Sequence, residues 1–559
     1  MGFAKKAAAR LCSTLKGTAG LSLVLGVWWT AVDCYPLWSR AFGSGAFGVG
    51  AGIRFVLTCG VGLSLAYSAA LLLIGSVTGR RFYKFLLILL STVGAGGFAF
   101  SLLYSAAMSP DMLRNAFATT PEEATDLFSP SLVFFFLLAL LPPAGFVLWY
   151  PVAKRPVSAR LREVALAAAF LIAGAGVIAT DLKASAFYFR GKKAERYYIA
   201  PVNVIYSAIK TQVKDEEPGQ IKTRIIVDPK PVLSPVPKTN ERPLIVVVVT
   251  GETARAKNWG LSGYARDTTP ELRKAGVVNF PNASACGTST DVSVPCMFSR
   301  VGRSDYNRKR ILEEEPLPAV LQRAGVHVLW IDNQRGSKGA SQGVPYVDAD
   351  KTLPEAERKR LCGKFCLDDA MLPPFDKFST GVKPGTVNAV FLHMMGSHGP
   401  AYANRYPEGF EEWGPVCKSS DVKSCDAKEL RNAYDNSILY TDHILATLIS
   451  RLKAKSDADT ALLYMSDHGE SLGEKGLYLH GAPYVIAPSQ QTHVPVVLWA
   501  SEGFRTRLGI GAGCLERNSG NEISHDNLWS TVLGLTTVKS STYSSKLDLT
   551  AACRKPSAK

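Results

Sequence analysis

The chain has 559 residues, 47% hydrophobic and 20% charged, with 63 Lys and Arg against 47 Asp and Glu, for a formal net charge of +16. This length predicts at least two domains. The apolar fraction excludes a disordered, a collagen-like or a disulfide-miniprotein class. Long uncharged runs occupy the first third, whereas all eight histidines lie in the second half. The excess positive charge would suit a nucleic acid, an anionic membrane surface or a phosphorylated substrate. The distribution of residue types decides among these: it indicates a membrane anchor joined to a soluble domain that carries the chemistry, and we expect no nucleic-acid partner.

Five apolar segments in the first third are long enough to cross a bilayer, which takes about 20 residues. They cover about 18–38, 55–77, 85–108, 130–153 and 164–180. The first segment contains Asp33 and Pro36 near its far end. A cleavable signal peptide is the alternative for this segment, but four more apolar segments follow and no small-residue cleavage site is evident.

The flanking charges predict the orientation of these spans. Basic residues cluster at the N-terminus, at 80–84 and at 154–162, whereas the connection at 111–126 is acidic apart from Arg114. Since positive charge stays in the cytoplasm, the N-terminus is expected inside and everything after about residue 183 outside. In a bacterial cell, this places the second half in the periplasm and the protein in the inner membrane.

The sequence then predicts a connector and a catalytic domain. Residues 197–213 have near-helical apolar spacing that suits the membrane surface, and the five prolines in 229–243 favour a semi-rigid linker. The predicted domains are a five-helix transmembrane domain at 1–183, a connector at 184–240 and a periplasmic catalytic domain at 241–559.

The catalytic domain has the pattern of an α/β fold with a mainly parallel sheet. Continuous apolar runs separated by helical stretches predict strands at 244–249, 326–331, 387–392, 461–465 and 494–499. A helix is predicted from Lys428 onward by apolar residues on one face. In such sheets, ligands bind beyond the carboxyl ends of the strands.

Three of these strands end in carboxylates or imidazoles. Glu252 follows the first strand, Asp467 and His468 follow the fourth, and His393 ends the third, with His398 just after it. Such oxygen and nitrogen ligands suit Zn²⁺. Helix capping by the acids and packing by the histidines is the alternative for each residue alone. Three such ends in one domain favour a metal site.

The segment 286–296 concentrates hydroxyl groups between two cysteines, just before a predicted helix start. A hydroxyl at a helix N-terminus lies where free N–H groups can hold a phosphate. Beside a divalent metal, its alkoxide becomes accessible near neutral pH. An ordinary Ser/Thr-rich helix cap is the alternative.

Four motifs stand out in the second half: TGET at 250–253, CGTSTDVSVPCMFS at 286–299, MGSHGP at 395–400 and SDHGESLGEKGLYLHG at 466–481. They resemble those of the lipid A phosphoethanolamine transferases, a family that includes the mobile colistin-resistance enzymes and belongs to the alkaline phosphatase/sulfatase superfamily. The resemblance extends over nearly the whole chain. It implies that Thr290 is the nucleophile that becomes phosphoethanolaminylated. It also implies a set of Zn²⁺ ligands that includes this nucleophile: Glu252, Thr290, Asp467 and His468.

The resemblance implies further roles around this centre. His398 and His480 are expected to contact the phosphoryl group or a second zinc, and His393 is a candidate general acid/base. Asn333 and Lys338 resemble positions that hold the substrate phosphate. The other four histidines are expected to be structural: His327 in a buried strand, His443 in the long helix, His493 before a strand and His525 near a helix start.

Asn115, Thr119 and Glu123 have the i, i+4, i+8 spacing of one helix face. They resemble the family's residues that reach toward the ethanolamine of the lipid donor. A solvated face of a loop helix is the alternative.

The eleven cysteines fall into two groups. Cys12, Cys34 and Cys59 lie in the membrane portion and are expected to pack as small residues. The others are external, where disulfides persist and a cysteine metal site is not expected. The resemblance implies three disulfides: Cys286–Cys296, Cys362–Cys366 and Cys417–Cys425. A further pairing of Cys514 with Cys553 is left open.

The predicted function is transfer of phosphoethanolamine from phosphatidylethanolamine to a lipid A phosphate, through a covalent Thr290 intermediate. We expect a monomer and, because the product lipid is more cationic, polymyxin resistance. A different envelope acceptor (a core sugar, a glycan or a protein) and a phosphoglycerol transferase are the enzymatic alternatives. A sulfatase would need a formylglycine motif that is not found. A membrane-anchored binding protein on an inactive scaffold is the non-enzymatic alternative, and it predicts missing nucleophile or ligands.

Overall fold

The computed structural model describes residues 17–43, 47–118, 128–152, 156–191, 193–214, 224–234 and 241–554. The chain forms two compact units. The first, the membrane unit, comprises Met1–Arg114 and Phe128–Val213. The second, the catalytic unit, comprises Asn115–Leu127 and Lys214–Lys559.

The first part of the chain is helical throughout its described residues. Its helices are α1 (Thr18–Trp28), α2 (Tyr35–Gly43), α3 (Val49–Val77), α4 (Arg80–Tyr104), α5 (Pro110–Ala118), α6 (Pro130–Trp149), α7 (Val157–Ala179), α8 (Leu182–Gly191) and α9 (Val202–Lys214). Within the described residues, four of them are long and apolar enough to cross a membrane: α3, α4, α6 and α7.

The first predicted span is broken rather than continuous. After α1, Trp29–Asp33 forms a π-helical turn, and α2 then leaves at a 45° bend. This bent pair gives a fifth crossing if its two halves are counted together. The polar Asp33 and the proline at position 36 lie at this break, where the regular helix pattern ends. The prediction of five spans therefore holds only if the bent pair α1 and α2 counts as one span.

Small residues allow close helix packing in this unit. A Cβ on Gly62 of α3 would lie 3.2 Å from the carbonyl oxygen of Gly174 in α7, and one on Gly174 would lie 3.1 Å from the carbonyl oxygen of Gly62. The two helix backbones thus touch at a glycine pair, as is common between membrane helices.

The helix α9, Val202–Lys214, covers most of the amphipathic stretch predicted at 197–213. The Ser207 hydroxyl donates to the Met108 carbonyl at 2.8 Å, and the Thr211 hydroxyl donates to the Pro110 carbonyl at 3.1 Å. The opposite face exposes Val202, Tyr206 and Ile209. The polar side of α9 is therefore hydrogen-bonded to backbone carbonyls of residues 108 and 110, and its apolar side is exposed on the surface of the protein.

The catalytic unit contains twelve strands among its described residues, eight of them in one sheet of order β11-β3-β10-β7-β2-β6-β4-β5. The strands are β1 (Val232–Leu233), β2 (Leu244–Gly251), β3 (Val278–Ser284), β4 (His327–Asp332), β5 (Tyr346–Asp348), β6 (Val387–His393), β7 (Asp459–Ser466), β8 (Ser471–Leu472), β9 (Tyr478–Leu479), β10 (His493–Ala500), β11 (Ile523–Ser524) and β12 (Val538–Lys539).

The sheet is mixed but mostly parallel, as predicted. Within the described eight-stranded sheet, only β10 is antiparallel to its neighbours, β3 and β7. The strands β2, β6 and β7 are buried along their whole length, which is expected for strands covered on both faces. All five predicted strands are present. His327, however, opens β4 in an exposed position rather than inside a buried strand.

Helices connect and cover this sheet. They are α10 (Pro270–Ala275), α11 (Thr290–Met297), α12 (Arg308–Glu313), α13 (Leu317–Arg323), α14 (Ala349–Thr352), α15 (Glu355–Leu361), α16 (Leu372–Thr380), α17 (Ala427–Lys453), α18 (Ser489–Thr492), α19 (Glu502–Arg507), α20 (Cys514–Asn518) and α21 (Asp526–Leu535). The long α17 begins beside Asp426, whose side chain accepts from the Lys428 N–H, so it starts where the sequence predicted.

The predicted proline-rich linker is only partly a linker. Within the predicted linker, the strand β1 pairs antiparallel with β12. The residues just before the linker, 224–228, are also hydrogen-bonded within the catalytic unit: the Ile225 N–H donates to the Glu313 carbonyl at 2.7 Å, and the Val227 N–H donates to the Glu315 carboxylate at 2.9 Å. Proline at 229 and 231 flanks β1 without blocking a two-residue edge pairing.

Candidate metal centre and active site

Two neighbouring strands bring the acidic residues together. The strands β2 and β7 are parallel and pair in register up to Gly251 opposite Ser466. The next residues, Glu252 and Asp467, must therefore lie side by side beyond the sheet edge. The Asp467 N–H also donates to the Gly251 carbonyl at 2.9 Å, which prolongs the pairing by one residue. Sheet register thus explains why these two carboxylates meet.

Glu252, Asp467 and His468 form a compact cluster with no solvent exposure. Each offers one ligand atom, and these three atoms lie within 4.8 Å of one another. His468 Nε2 is 3.5 Å from Glu252 Oε1 and 3.3 Å from Asp467 Oδ2. His468 Nδ1 lies 3.0 Å from the Gly469 carbonyl, so Nδ1 is the donor and Nε2 presents its lone pair to the cluster.

Thr290 points at this cluster from the first residue of α11. Its Oγ1 is 3.2 and 3.1 Å from the two Glu252 carboxylate oxygens and 3.3 Å from His468 Nε2. The hydroxyl donates to Glu252, because a carboxylate can only accept. Lying at the start of the helix, Thr290 is also beside the positive end of the α11 dipole. The side chain is therefore placed to act as a nucleophile.

The surroundings hold Thr290 in place. The Ser293 hydroxyl, one turn along α11, donates to the Asp467 carbonyl. The Cys286 N–H donates to His525 Nδ1 at 3.0 Å, and His525 Nε2 lies 2.9 Å from the Ser466 carbonyl. The buried His525 therefore joins the segment before α11 to the end of β7, which agrees with the structural role predicted for it.

The chemistry of this donor set fits a divalent cation. Burial and the facing Asp467 carboxylate raise the pKa of Glu252, and burial likewise raises the pKa of Asp467. Asp467 Oδ2 is buried without a hydrogen-bond partner among the described residues. Two adjacent buried carboxylates are costly unless a cation neutralises them. An imidazole and two carboxylates with a hydroxyl nearby are suitable ligands for such an ion.

A second group of imidazoles lies next to the cluster. The ring centroids of His468 and His480 are 4.4 Å apart, and those of His480 and His398 are 5.8 Å apart. Burial alone would lower the pKa of His480, but the charge of Glu470 and its hydrogen bond raise it to about 9. Burial lowers the pKa of His398. At neutral pH, His480 is therefore cationic and His398 is neutral.

His393 lies deeper than these residues. Its Nδ1 is 3.1 Å from Asp332 Oδ2, and that oxygen also accepts from Trp330 Nε1 at 3.0 Å. Although burial opposes it, the pKa of Asp332 is lowered by His393 and by its hydrogen bonds. His393 is completely buried. Its Nε2 has no partner among the described residues.

The two residues predicted to hold the substrate phosphate, Asn333 and Lys338, have different surroundings in the structure. The Asn333 amide donates to the Cys366 carbonyl at 3.1 Å and to Asp368 Oδ1 at 2.8 Å, so it is engaged in the scaffold. Lys338 is half-buried with a positive φ of 50°, and its charge contributes to the lowered pKa of His398. Lys338 is thus close to the imidazoles, whereas the Asn333 side chain is not available to a substrate in this arrangement.

The structure adds residues that sequence reasoning missed. Gln334 Nε2 donates to Glu252 Oε2 at 2.6 Å. Asp368 accepts from the N–H groups of Met395 and Gly396 at 2.8 and 2.9 Å, and it thereby fixes the segment that leads to His398. The DNQ sequence at 332–334, directly after a predicted strand, was the only signal for Gln334. The sequence near Asp368 carried none.

The remaining predicted residues are placed only in part. Asn115 lies in α5, whereas Thr119 and Glu123 fall outside the described residues. The described external cysteines form four disulfides: Cys286–Cys296, Cys362–Cys366, Cys417–Cys425 and Cys514–Cys553. Cys34 and Cys59 are free and buried.

Comparisons with known proteins show the family of this chain. Residues 245–538 match the sulfatase family model, and residues 66–215 match the model for phosphoethanolamine transferase EptA/EptB. Phosphoethanolamine transferase EptA of Escherichia coli strain K12 is 35% identical over 83% of this chain and 84% of its own length. Phosphatidylethanolamine transferase Mcr-1 of Escherichia coli is 36% identical over 80% of this chain and 84% of its own length.

A solved structure extends this similarity to the membrane unit. It is the integral membrane protein lipooligosaccharide phosphoethanolamine transferase A (EptA) from Neisseria meningitidis, with a TM-score of 0.90 and 34% identity, covering 97% of this chain and 99% of that one. With its apolar helices, the present chain is a multi-pass protein of the bacterial inner membrane with a periplasmic catalytic domain. The chain belongs to the phosphoethanolamine transferase family, and its C-terminal domain has the sulfatase-like fold.

Proposed function

We propose that this protein transfers phosphoethanolamine from phosphatidylethanolamine to a phosphate of lipid A, through a covalent intermediate on Thr290. The observation that supports this best is the contact of Thr290 Oγ1 with both oxygens of Glu252 and with His468 Nε2. A hydroxyl at a helix N-terminus, beside three buried side chains that can bind a metal, is placed to attack a charged phosphoryl group.

In the first step, Thr290 Oγ1 attacks the phosphorus of the donor phosphodiester. Its proton passes toward the Glu252 carboxylate, to which the hydroxyl already donates. The bond from phosphorus to the diacylglycerol oxygen breaks, and this oxygen takes a proton from the cationic His480, whose Nδ1 is held by Glu470. The products are diacylglycerol and phosphoethanolaminyl-Thr290.

In the second step, a lipid A phosphate oxygen attacks the same phosphorus. The bond to Thr290 Oγ1 breaks, and the hydroxyl is regenerated with the proton returned from Glu252. Because the acceptor is an anion, Lys338 orients it by charge, and the proton that the acceptor phosphate releases on attack returns to His480 and restores its cationic form. One site can serve both lipids in turn, since each binds only while the other is absent.

Glu252, Thr290, Asp467 and His468 are the residues that would hold a metal ion, which we propose to be zinc. Such an ion lowers the pKa of the nucleophile and offsets charge on the phosphoryl oxygens. The protein residues supply the rest: they orient the hydroxyl, keep water out of a buried site and position the imidazoles.

Lipid A is proposed as the acceptor because lipooligosaccharide is named for the Neisseria meningitidis relative and is anchored by lipid A. Each transferred ethanolamine adds a positive charge beside a lipid phosphate. A more cationic outer surface binds cationic peptides less strongly, so polymyxin resistance is the expected phenotype.

The test is mass spectrometry of lipid A and of the protein from cells that express the wild type, Thr290→Ala or Thr290→Ser. We expect a phosphoethanolamine on lipid A and on the peptide that contains Thr290 in the wild type. Thr290→Ala should lose both, with a rate reduced by about 10⁴-fold, whereas Thr290→Ser should retain a fraction. Transfer activity in Thr290→Ala would overturn the covalent scheme. Modification of a core sugar or a protein, with lipid A unchanged, would overturn the acceptor.

A further inference from the structure

The most exposed large apolar side chain of the described residues lies next to the active site. It is Val485, which is 92% exposed, and the next residue in the chain, Ile486, is 47% exposed. Both belong to residues 482–488, here called the apolar loop, which reads Ala-Pro-Tyr-Val-Ile-Ala-Pro and contains no charge. This loop begins two residues after His480. Exposed apolar residues that adjoin a site in this way mark an interaction surface.

The apolar loop is anchored to the nucleophile segment. The Gly481 N–H donates to the Thr288 carbonyl at 2.7 Å, and the Thr288 hydroxyl donates to the Ala482 carbonyl at 2.6 Å. The Tyr484 hydroxyl donates to the Ala285 carbonyl at 2.9 Å. Val485 and Ile486 are therefore held outward by a fixed frame, so their exposure is not the result of a loose loop.

A cationic side chain, that of Arg303, lies beside the apolar loop. The Arg303 guanidinium lies 3.6 Å from the centroid of the Tyr484 ring, and Arg303 Nη1 donates to the Cys286 carbonyl at 3.3 Å. The Asp526 carboxylate accepts from the backbone N–H of Arg303 and so fixes the chain from which this side chain extends. Aliphatic side chains with a tyrosine and an arginine beside them are the combination found at membrane–water interfaces.

We propose that the apolar loop enters the surface of the bilayer, with Val485 and Ile486 below the lipid phosphates and Arg303 at their level. This rests on the proposed function in one respect, namely that the donor is a lipid. The bond that Thr290 must reach lies between the phosphate and the glycerol. Lifting a whole lipid out of the bilayer costs free energy for every methylene exposed. Insertion of the loop brings the active site to the phosphate instead.

The first measurement compares two donors with the full-length protein in phosphatidylethanolamine–phosphatidylglycerol vesicles. One donor is the vesicle lipid, and the other is a water-soluble aryl ester of phosphoethanolamine. We expect Val485→Asp and Ile486→Asp to lower labelling of Thr290 from the vesicle lipid by about tenfold, because a charge opposes insertion. Labelling from the soluble ester should change less than twofold. Val485→Leu should retain both rates.

Leu547→Asp is the matched control, since Leu547 is an exposed apolar residue, at 38%, elsewhere in the catalytic unit. It should leave both rates unchanged. An equal loss with both donors in Val485→Asp would show that the loop only supports the fold, and an unchanged vesicle rate would show that it does not enter the bilayer. Either result would overturn the proposal. A wild type labelled by neither donor would instead contradict the proposed function.

A second measurement is independent of activity. The fluorescence emission of a nitrobenzoxadiazole probe attached to the cysteine of Val485→Cys should shift to shorter wavelength in vesicles and should be quenched by spin-labelled acyl chains. The same probe on Leu547→Cys should do neither. A shift without quenching by the acyl chains would indicate contact with protein, such as a second copy of the chain, and would overturn the bilayer proposal.

Discussion

In the membrane unit, buried hydroxyl and indole groups of neighbouring helices form isolated pairs, whereas the catalytic unit clusters several titratable side chains at its active site. In the membrane unit, the Ser22 hydroxyl meets the Tyr83 hydroxyl at 2.9 Å, and Trp29 Nε1 donates to Ser91 at 3.2 Å. Asp33 and Asn203 differ, since their side chains have no hydrogen-bond partner among the described residues. At the active site, by contrast, ligand atoms of Glu252, Asp467 and His468 lie within 4.8 Å of one another, and the ring centroid of His480 is 4.4 Å from that of His468.

This difference teaches where a single substitution should matter. A neutral pair between helices contributes about 0.6 kcal/mol on average, because the separated groups find other partners. A clustered charge acts on every neighbour, so its removal changes ligand binding and catalysis together. The substitutions below range from the centre of the cluster to a helix pair, in order of decreasing effect.

Glu252→Gln should break the cluster most severely. The variant removes the negative charge of a proposed ligand and the base that takes the Thr290 proton, so bound zinc should fall below stoichiometry and transfer should fall by about 10³-fold. Zinc content measured by mass spectrometry, together with lipid A transfer rates, checks this. Glu315→Gln, which alters a buried carboxylate paired with Arg323, is the control and should retain zinc. Full zinc in Glu252→Gln would exclude Glu252 as a ligand.

His525 should make stability depend on pH. Burial lowers its pKa to about 4, so the unfolded chain binds a proton that the folded one does not between pH 4 and 6.5. Its contribution, about 3 kcal/mol, is present above pH 6.5 and is lost as the pH falls toward 4.

The measurement for His525 is thermal unfolding of zinc-free protein in detergent at pH 7.5 and 4.5. The stability difference between the wild type and His525→Gln should shrink at the lower pH. His327→Gln, on the exposed end of β4, should show the same difference at both pH values. A pH-independent difference for His525→Gln would contradict the assignment.

Asp368→Asn should lower activity without removing the metal. The substitution places an NH₂ group where N–H donors of Met395 and Gly396 point, so the segment leading to His398 must shift. We expect about a tenfold lower transfer rate with normal zinc content. Asp376→Asn, which alters a half-exposed carboxylate paired with Arg451, should be neutral. Loss of zinc in Asp368→Asn would indicate general misfolding.

Tyr83→Phe should have the smallest effect. It removes only the hydroxyl that meets Ser22, so the unfolding free energy should fall by about 0.6 kcal/mol and the transfer rate should stay unchanged. Thermal unfolding in detergent and the transfer assay check both. A large loss of activity would mean that this pair does more than join two helices.

The sequence predicted the strands that are continuous in Val, Ile and Leu, because burial on both faces imposes this composition. It missed β3, where Pro281 and the polar residues 279, 282 and 284 interrupt the apolar pattern. It also gave no sign that β10 is reversed, since a buried strand has the same composition in either direction.

The candidate site divides in the same way. Residues at the ends of predicted strands, such as Glu252 and Asp467, could be placed together, since parallel strands bring their carboxyl ends to one edge. The contact of Gln334 with Glu252 and the role of Asp368 depend on which strands are neighbours and on loop packing. Asn333 shows the limit of prediction from motifs, because its position in a motif does not reveal whether its side chain binds substrate or, as here, donates to the neighbouring Cys366 carbonyl and Asp368.

The disulfide between Cys286 and Cys296 encloses the segment that carries Thr290. Because the cytoplasm keeps thiols reduced, this disulfide forms only after the segment has been exported. Maturation of the enzyme is thereby coupled to the compartment of its lipid substrates. Cells that lack a periplasmic thiol oxidase should accumulate an inserted but immature transferase.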